Sequence, residues 1–287
     1  DIVIAIEALV GAGAKVIVDD LFSYLEFPFQ DDVIARAAED AIASGVHYFT
    51  SAANYGNRTY STASVYEADY NPSVISLTEL GIRTWPDIHV FPNNELSNQV
   101  GRNGAVCLFW SDPLGEASND YDLLVYNSTL TTLLRVSSDT QNGTQDAREC
   151  TTVETGQRLV IARYSGQSRY LHLSLAGEPS DEPGLNWATE GFVRGQGGAA
   201  NVFAVAATSA ENRTTAFDGS ESVENFSSDG YRRVFFTRDG TPITSGNFSS
   251  TGGEVRIKPD ITAADGIATQ VPTLNTFFGT SAEAPHA

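Results

Sequence analysis

Between about residues 80 and 190 the sequence alternates every few residues between short apolar segments and turn-forming segments. The apolar segments include AVCLFW, YDLLVYN, TLLRVSS, RLVIARY and RYLHLSL. Turn signals such as SDPLG, SDTQNGT and YSGQS separate them. This pattern is typical of antiparallel β-structure, because side chains of a strand point alternately to its two faces and turns follow closely. We therefore predict an all-β module, a sandwich or jelly roll, over residues 79–191.

The beginning of the chain follows a different pattern. An Ala-rich apolar helix is predicted over 2–13, followed by the short strand KVIV. Asp31 and Gly45 are residue types that begin and end a second helix, and the strand VHYFTSA follows it. The order helix–strand–helix–strand indicates an α/β unit with parallel strands. Since the apolar strand NVFAVAAT follows Gly191, we predict that residues 1–78 and 192–287 form one unit into which 79–191 is inserted.

The composition supports a buried core and restricts the partners. Hydrophobic residues make up 41% of the chain, and the formal net charge is −19. A surface this acidic repels phosphate groups, so we expect neither a nucleic acid nor an anionic membrane as partner. No run of about 18 apolar residues occurs, so we predict no membrane span.

Four short motifs occur in a fixed order. They are SAANYG at 51–56, FSSDG at 226–230, KPDITAADG at 258–266 and FFGTSAEAPHA at 277–287. A sequence G-T-S alone is common by chance, but the ordered set resembles the subtilisin-like serine peptidase family over about residues 1–78 and 192–287. The resemblance implies an α/β fold class: a subtilisin-like parallel sheet flanked by helices and interrupted by the inserted all-β module.

The resemblance also implies an activity, the hydrolysis of peptide bonds by a serine-type endopeptidase. Ser281 would be the nucleophile, since such a serine needs an exposed hydroxyl on a tight turn. Asn54 would donate its side-chain N–H to the developing oxyanion, together with the backbone N–H of Ser281. The expected partner is a protein or peptide substrate, and no cofactor is required.

Substrate-binding residues are implied by the same resemblance. Ser51, Ala52 and Ala53 would form one wall of the pocket for the substrate side chain. Ala53 stands where the family has Gly, so its methyl group would narrow that pocket. Asp20 and Leu21 would lie at the strand edge that pairs with the substrate backbone, and Asp20 would favour basic or polar substrate side chains unless it is simply a solvated loop residue.

The base and the orienting acid of the family are missing from the sequence. None of the four histidines, His47, His89, His172 and His286, is followed by Gly, and no D-[ST]-G occurs. Both ends of the chain look cut, so we expect a fragment truncated at both termini, with the Asp and His upstream and little activity of its own. A sedolisin-like variant with Glu and Asp in their place is a second possibility.

Two other functions stay open at this point. One is a non-catalytic protein that binds a substrate or a protein on the same scaffold, and the other is a serine hydrolase of esters. We expect a secreted protein from the family resemblance, although no signal peptide is visible.

The predicted β module carries two further features. Asp112, Asn119, Asp120 and Asp122 could offer oxygen ligands to a structural Ca²⁺, although Asp and Asn are also ordinary turn formers. The two cysteines, Cys107 and Cys150, both lie in this segment, and the sequence leaves open whether they pair.

Overall fold

The computed structural model describes residues 2–79, 83–177, 182–211 and 213–287. Its strands form one parallel sheet, two antiparallel sheets and three two-stranded pairs. No helix within these ranges has the length and apolar character needed to cross a membrane. In chain order the helices and strands are α1 (Ile2–Gly11), β1 (Val16–Asp19), α2 (Val33–Ala43), β2 (His47–Ser51), β3 (Val65–Asp69), β4 (Leu77–Glu79), β5 (Arg83–Trp85), β6 (Asp87–Ile88), β7 (Asn98–Gln99), β8 (Gly104–Trp110), β9 (Asp120–Tyr126), β10 (Leu133–Ser137), β11 (Arg148–Val153), β12 (Arg158–Ser165), β13 (Tyr170–Gly177), β14 (Phe203–Ser209), β15 (Gly230–Val234), β16 (Glu254–Lys258), β17 (Ile261–Asp265), β18 (Ile267–Ala268), β19 (Thr276–Phe277) and α3 (Thr280–Glu283), with 3₁₀ turns at Pro92–Asn94, Gly195–Gly198 and Ala284–His286.

The parallel sheet has the strand order β1-β2-β14-β17. Helix α2 packs on the sheet through three buried alanines, Ala35, Ala38 and Ala41, which recur every third residue and so share one face of the helix. The helix begins one residue later than predicted, because Asp32 rather than Asp31 accepts the backbone N–H groups of the first turn.

The two antiparallel sheets pack face to face as a sandwich. One has the order β11-β8-β13-β3 and the other the order β10-β9-β12-β6. Every residue of β9 is buried, because Leu123 and Val125 face the core of the sandwich while Leu124 and Tyr126 face a second apolar cluster around Trp85. A strand covered on both faces loses the apolar–polar alternation that a half-exposed strand shows.

A disulfide crosses one of these sheets. Cys107 on β8 and Cys150 on β11 are directly opposite each other in the antiparallel register, and their sulfur atoms are 2.02 Å apart. The pairing that the sequence left open is therefore made within a single sheet.

A buried ionic cluster joins the sandwich to the rest of the chain. Glu67 on β3 is ion-paired with Arg232 on β15, and the Nδ1 atom of His172 on β13 lies 2.7 Å from the Glu67 Oε1. The Arg194 guanidinium lies against the other His172 nitrogen and also donates to the backbone oxygens of Tyr24 and Glu26. One carboxylate thus connects two strands of the sandwich to the β15–β16 pair and to the loop after β1.

The predicted fold class, a subtilisin-like parallel sheet flanked by helices with an all-β insertion, is wrong. Strand accounts for 36% of the residues and helix for only 13%, and most of the sheets are antiparallel. The parallel sheet has four strands, and the helices that accompany it are two of ten and eleven residues and a single turn. The four motifs all lie outside the sandwich, in the part of the chain that contains the parallel sheet. The prediction from these motifs therefore overestimated how much of the chain is α/β structure.

Two buried histidines predict how the stability of the fold depends on pH. Burial lowers the pKa of His89 to about 4 and that of His172 to about 3, the latter despite the neighbouring Glu67 carboxylate. The backbone N–H of Asn71 donates to Nδ1 of His89, and Nε2 faces the Tyr66 hydroxyl, so an added proton would oppose an N–H donor.

In the unfolded chain each histidine binds a proton near pH 6.5, whereas in the folded protein it stays neutral to a lower pH. The neutral buried histidines therefore cost the fold no stability above pH 6.5, and the free energy of unfolding decreases as the pH falls from 6.5 toward 4. We expect His89→Gln to reduce the slope of the unfolding free energy against pH by up to about 1.4 kcal/mol per pH unit between pH 6 and 4. Urea titrations at several pH values measure this slope. His47 is exposed, so His47→Gln is the matched control. An unchanged slope for His89→Gln would contradict the prediction.

Candidate active site

The predicted site residues meet at the carboxyl edge of the parallel sheet. Asp20 and Leu21 follow β1, and Ser51 ends β2. The carboxyl ends of parallel strands lie at the same edge of a sheet, and loops leaving that edge form the usual place for a site in such sheets. Asn54 follows β2 at this edge, and Ser281 lies in the single turn of α3, which packs on β14 and β17.

One hydrogen bond connects the two ends of this site. The backbone N–H of Thr280 donates to the side-chain oxygen of Asn54 at 2.8 Å, across 226 residues of sequence. Gly279 has φ 115°, a conformation that side chains rarely adopt, and a Cβ there would lie 3.3 Å from the Asn54 nitrogen. The Asn54 side-chain oxygen already accepts the Thr280 N–H. The two N–H groups on the Asn54 side-chain nitrogen can therefore donate to another acceptor.

The FSSDG segment holds the loop that carries Asn54. The backbone N–H of Ser228 donates to the Ala53 carbonyl at 2.9 Å, and the backbone N–H of Tyr55 donates to the Ser228 hydroxyl at 3.0 Å. The backbone N–H of Gly56 donates to the Phe226 carbonyl at 2.8 Å. The residues on both sides of Asn54 are therefore fixed, which pre-organises its side chain.

A cavity of about 180 Å³ opens in front of Asn54. Residues of both predicted regions line it, and so do four that the sequence reasoning missed. The lining residues are Asp20, Phe22, Ser51, Ala53, Asn54, Tyr55, Gly177 and Thr280. Phe22 and Tyr55 are sequence neighbours of predicted residues, and simple extension of the motifs would have found them. Gly177 ends β13 of the sandwich, and nothing in its local sequence connects it with this cavity.

A narrow recess of about 10 Å³ lies behind the same wall. Leu21 and Ala52 line it, together with Phe192 and the carboxyl-bearing Glu26. A space of this size holds about one water molecule, so the recess is too small for a substrate side chain. Burial, assisted by the neighbouring Asp32 carboxylate, raises the pKa of Glu26 to about 8. A substrate side chain would therefore occupy the larger cavity in front of Ala53.

Asp19, the last residue of β1, and Asp20, which follows it, differ in their surroundings. The Asp19 carboxylate accepts hydrogen bonds from the Tyr48 hydroxyl at 2.6 Å and the Thr50 hydroxyl at 2.5 Å. These contacts tie β1 to β2 and occupy Asp19 within the protein. Asp20 is the one of the pair that lines the cavity.

The histidines lie away from this turn or face elsewhere. His89 and His172 are inside the sandwich, and the exposed His47 begins β2. The His286 Nδ1 atom lies 2.5 Å from the Ala282 carbonyl oxygen. Within the described ranges no histidine forms a hydrogen bond with the Ser281 hydroxyl, which is half-buried.

The four calcium candidates are occupied by protein contacts. The Asp112 carboxylate accepts from Asn119 and is ion-paired with Arg169 at 2.6 Å. Asp120 and Asp122 both face the Arg83 guanidinium, at 3.7 and 3.2 Å. In the described part of the chain no group of three or more His, Cys, Asp or Glu residues is arranged to hold a metal ion. Calcium binding stays a prediction from the sequence.

A larger cavity of about 410 Å³ lies away from Asn54. Its charged lining includes Glu67, whose carboxylate is already paired with Arg232 and His172. None of the described residues that line it is a serine or a cysteine. The cavity beside Asn54 is smaller, and Ser281 does not line it, but Asn54 and Thr280, the residue before Ser281, do, and we take it as the candidate active site.

Comparisons with known proteins give a similarity in fold. No family model matches the chain, and no curated protein matches it. Among solved structures, the chain is similar to the CspB protease of Clostridium perfringens, with 12% identity over 98% of this chain and a TM-score of 0.50. The chain spans 55% of the length of that protein's chain. At this identity the similarity concerns the fold alone.

The assignment to the subtilisin-like family, made from the four motifs, is therefore wrong. It expected a sheet flanked by helices, whereas the chain is mostly β-structure, and the similarity to a solved protease is weak. The motifs are short, and much of what they contain meets local needs. Lys258 of the KPD segment, for example, donates to the Val202 carbonyl and pairs with Asp260, which holds β14 and β17 in place.

Ala53 gives a test of the backbone at this site. Its φ of 70° lies in the left-handed region, which costs an L-residue about 1–2 kcal/mol. Glycine avoids this cost but loses about 0.5–1 kcal/mol through the greater entropy of the unfolded chain. We expect Ala53→Gly to stabilise the protein by about 0.5–1 kcal/mol, measured as an increase in Tm. Ala52→Gly, at a neighbouring buried position without positive φ, is the matched control and should lower Tm. A lower Tm for both variants would contradict the prediction.

Proposed function

We propose that this chain carries the nucleophile and the oxyanion-binding half of a serine-type endopeptidase, with Ser281 and Asn54 in those roles. The observation that carries the proposal is the hydrogen bond between the Thr280 N–H and the Asn54 oxygen, which sets an amide donor beside the turn of a half-buried serine. The cavity of about 180 Å³ at the same place gives room for a substrate side chain. The fold similarity to a protease agrees with this activity.

The chemistry follows from the positions of these groups. The Ser281 oxygen attacks the substrate carbonyl carbon, a C–O bond forms, and the carbonyl oxygen becomes negatively charged. The Asn54 amide and the backbone N–H of Ser281, which lies in the first turn of α3 where helical N–H groups lack an intrahelical acceptor, stabilise that oxygen. The leaving amine departs with a proton, and water then hydrolyses the acyl ester.

The serine proton requires a base. Within the described ranges no histidine contacts the Ser281 hydroxyl, so we propose that a group other than these histidines supplies the base.

The same observation favours a second candidate function. A protein that binds peptides without cleaving them would keep the cavity and the Asn54 amide and would need no base.

We also propose an extracytoplasmic location, because the Cys107–Cys150 disulfide is of the kind that persists in oxidising compartments.

A fluorophosphonate probe separates these candidates. We expect the protein, expressed at its natural length, to be labelled at Ser281, since the probe reacts only with an activated serine. Ser281→Ala should abolish labelling, and Ser128→Ala, at an exposed serine of the sandwich, should leave it unchanged. No labelling would favour the binding protein. Turnover of a model ester without turnover of the matching amide would favour an esterase.

Two substitutions of Asn54 separate its two roles. Asn54→Asp keeps an oxygen for the Thr280 N–H but removes the amide donors, whereas Asn54→Ala removes both. We expect each variant to reduce kcat by about 10²–10³, the cost measured for one oxyanion donor in a serine protease. Asn54→Ala should also lose about 1 kcal/mol of stability in a urea titration, because the Thr280 N–H loses its acceptor. A fully active Asn54→Asp enzyme would contradict the oxyanion role.

A further inference from the structure

Two acidic side chains are buried together behind the Ser281 turn. Asp265 is the last residue of β17, Glu283 is the last residue of α3, and both have an exposed fraction of 0%. Helix α3 packs directly against β17, and after burial the charge of Asp265 is the strongest influence on the ionisation of the Glu283 carboxyl group. The pair therefore lies beneath the turn that presents Ser281.

The hydrogen bonds of this pair are incomplete when both groups are ionised. Asp265 Oδ1 accepts the backbone N–H of Gly279 at 2.9 Å. The other Asp265 oxygen and both Glu283 oxygens are buried without a donor among the residues described. Two ionised carboxylates are acceptors only, so neither can satisfy the other, and burying both charges without a cation is very costly.

A single proton lessens both problems, and one Glu283 oxygen then still lacks a donor among the described residues. A protonated carboxyl group has one O–H donor, so Glu283 can donate to the free oxygen of Asp265. The pair then carries one negative charge instead of two. Two buried carboxyl groups that share a site behave in this way in general, because their like charges oppose a second ionisation.

We propose that Glu283 is a positioning residue that stays protonated and donates its O–H to Asp265, so that Asp265 is held against the Gly279 N–H and the turn bearing Ser281 is fixed. The turn is then held at two consecutive N–H groups, by Asp265 at Gly279 and by Asn54 at Thr280. The inference rests on the proposed function only in naming Ser281 as the reacting group.

The surroundings of the pair favour retention of the proton. The titratable groups facing it are acidic: Glu224, on the loop after β14, acts directly on Glu283, and Glu211 lies near Gly266. Strand β14 contributes no titratable side chain, His47 lies at the opposite end of β2, and His286 is directed to the Ala282 carbonyl. Burial, followed by the charges of Asp265 and Glu224, raises the pKa of Glu283 to about 9.

The sign of the pH dependence follows from this shift. Unfolded Glu283 loses its proton near pH 4.5, whereas the folded protein keeps the proton until about pH 9. The folded state therefore binds the extra proton between these values, and its stability decreases as the pH rises through that window. Above about pH 9 the pair becomes doubly charged and the turn loses its support.

Glu283→Gln tests the inference, because the amide donates to Asp265 but cannot titrate. In infrared spectra at pH 7 we expect the C=O band of protonated carboxylic acids to be weaker in Glu283→Gln than in the natural protein by the contribution of one carboxyl group, while Glu26, whose pKa is also raised, contributes to both spectra. Between pH 5 and 9 the variant should have a linkage slope smaller by up to one proton. If Ser281 reacts with a fluorophosphonate, its labelling rate should decline near pH 9 in the natural protein and persist in the variant. Glu116→Gln, at an exposed position between β8 and β9, is the matched control and should leave the band and the slope unchanged.

Asp265→Asn provides a second variant if Glu283→Gln folds poorly. Its amide oxygen keeps the Gly279 N–H and its nitrogen donates to Glu283, so Glu283 should ionise at lower pH and the infrared band at pH 7 should weaken by the contribution of one carboxyl group. Equal bands and equal linkage slopes in the natural protein and Glu283→Gln would overturn the inference. A weaker band and a smaller slope in the variant, without any labelling of Ser281 in the natural protein, would instead support the carboxyl pair and refute the proposed function.

Discussion

The buried carboxylate of Glu67 is the contact on which the assembly of this chain depends. It belongs to β3 of the sandwich, and its partners are His172 on β13 and Arg232 on β15, a strand outside the sandwich. Burial opposes its ionisation, but the Arg232 guanidinium and His172 hold the pKa of the carboxyl below its usual value. Removing one partner of such a group leaves an uncompensated buried charge, which is far more costly than never having formed the pair. The orientation of the sandwich relative to the candidate site is therefore fixed by ionic contacts as well as by apolar packing. Gly177, which ends β13, lines the cavity.

Local sequence patterns predicted the elements better than their arrangement. The apolar runs of β1 and β2 and the turn at Gly45 were found because burial and backbone conformation act over a few residues. The start of α2 was misplaced by one residue because Asp31 and Asp32 are both good caps, and only the structure shows that Arg256 occupies Asp31. The fold class was wrong for a different reason. The four motifs are distinctive but cover few residues. The fold class depends instead on how many residues form each kind of sheet.

The candidate site shows the same division between local and distant information. Asn54 and Ser281 were singled out in motifs that lie far apart, and the structure places them on either side of one hydrogen bond through Thr280. Their chemical roles remain proposals. The sequence could not reveal that Asp19 is occupied by Tyr48 and Thr50 while Asp20 lines the cavity, because the difference lies in partners about thirty residues away. Neither Glu283 nor Asp265 was predicted as part of the site.

Three buried acids show how this chain accommodates carboxyl groups in a low-dielectric interior. Glu67 is compensated by a cation, so it stays ionised and joins distant strands. Glu26, near Arg194 but also near Asp32, has a raised pKa and sits behind the cavity wall. Among the described residues, the charged groups that act on Glu283 are acidic, so a proton is the compensation that its surroundings allow. A cation fixes an acid over a wide range of pH, whereas a proton does so only below the pKa of the pair. Glu283, which supports the Ser281 turn, is compensated by a proton, so the conformation of that turn depends on pH. The contact between the sandwich and the rest of the chain, which Glu67 makes with Arg232, does not depend on pH in this way.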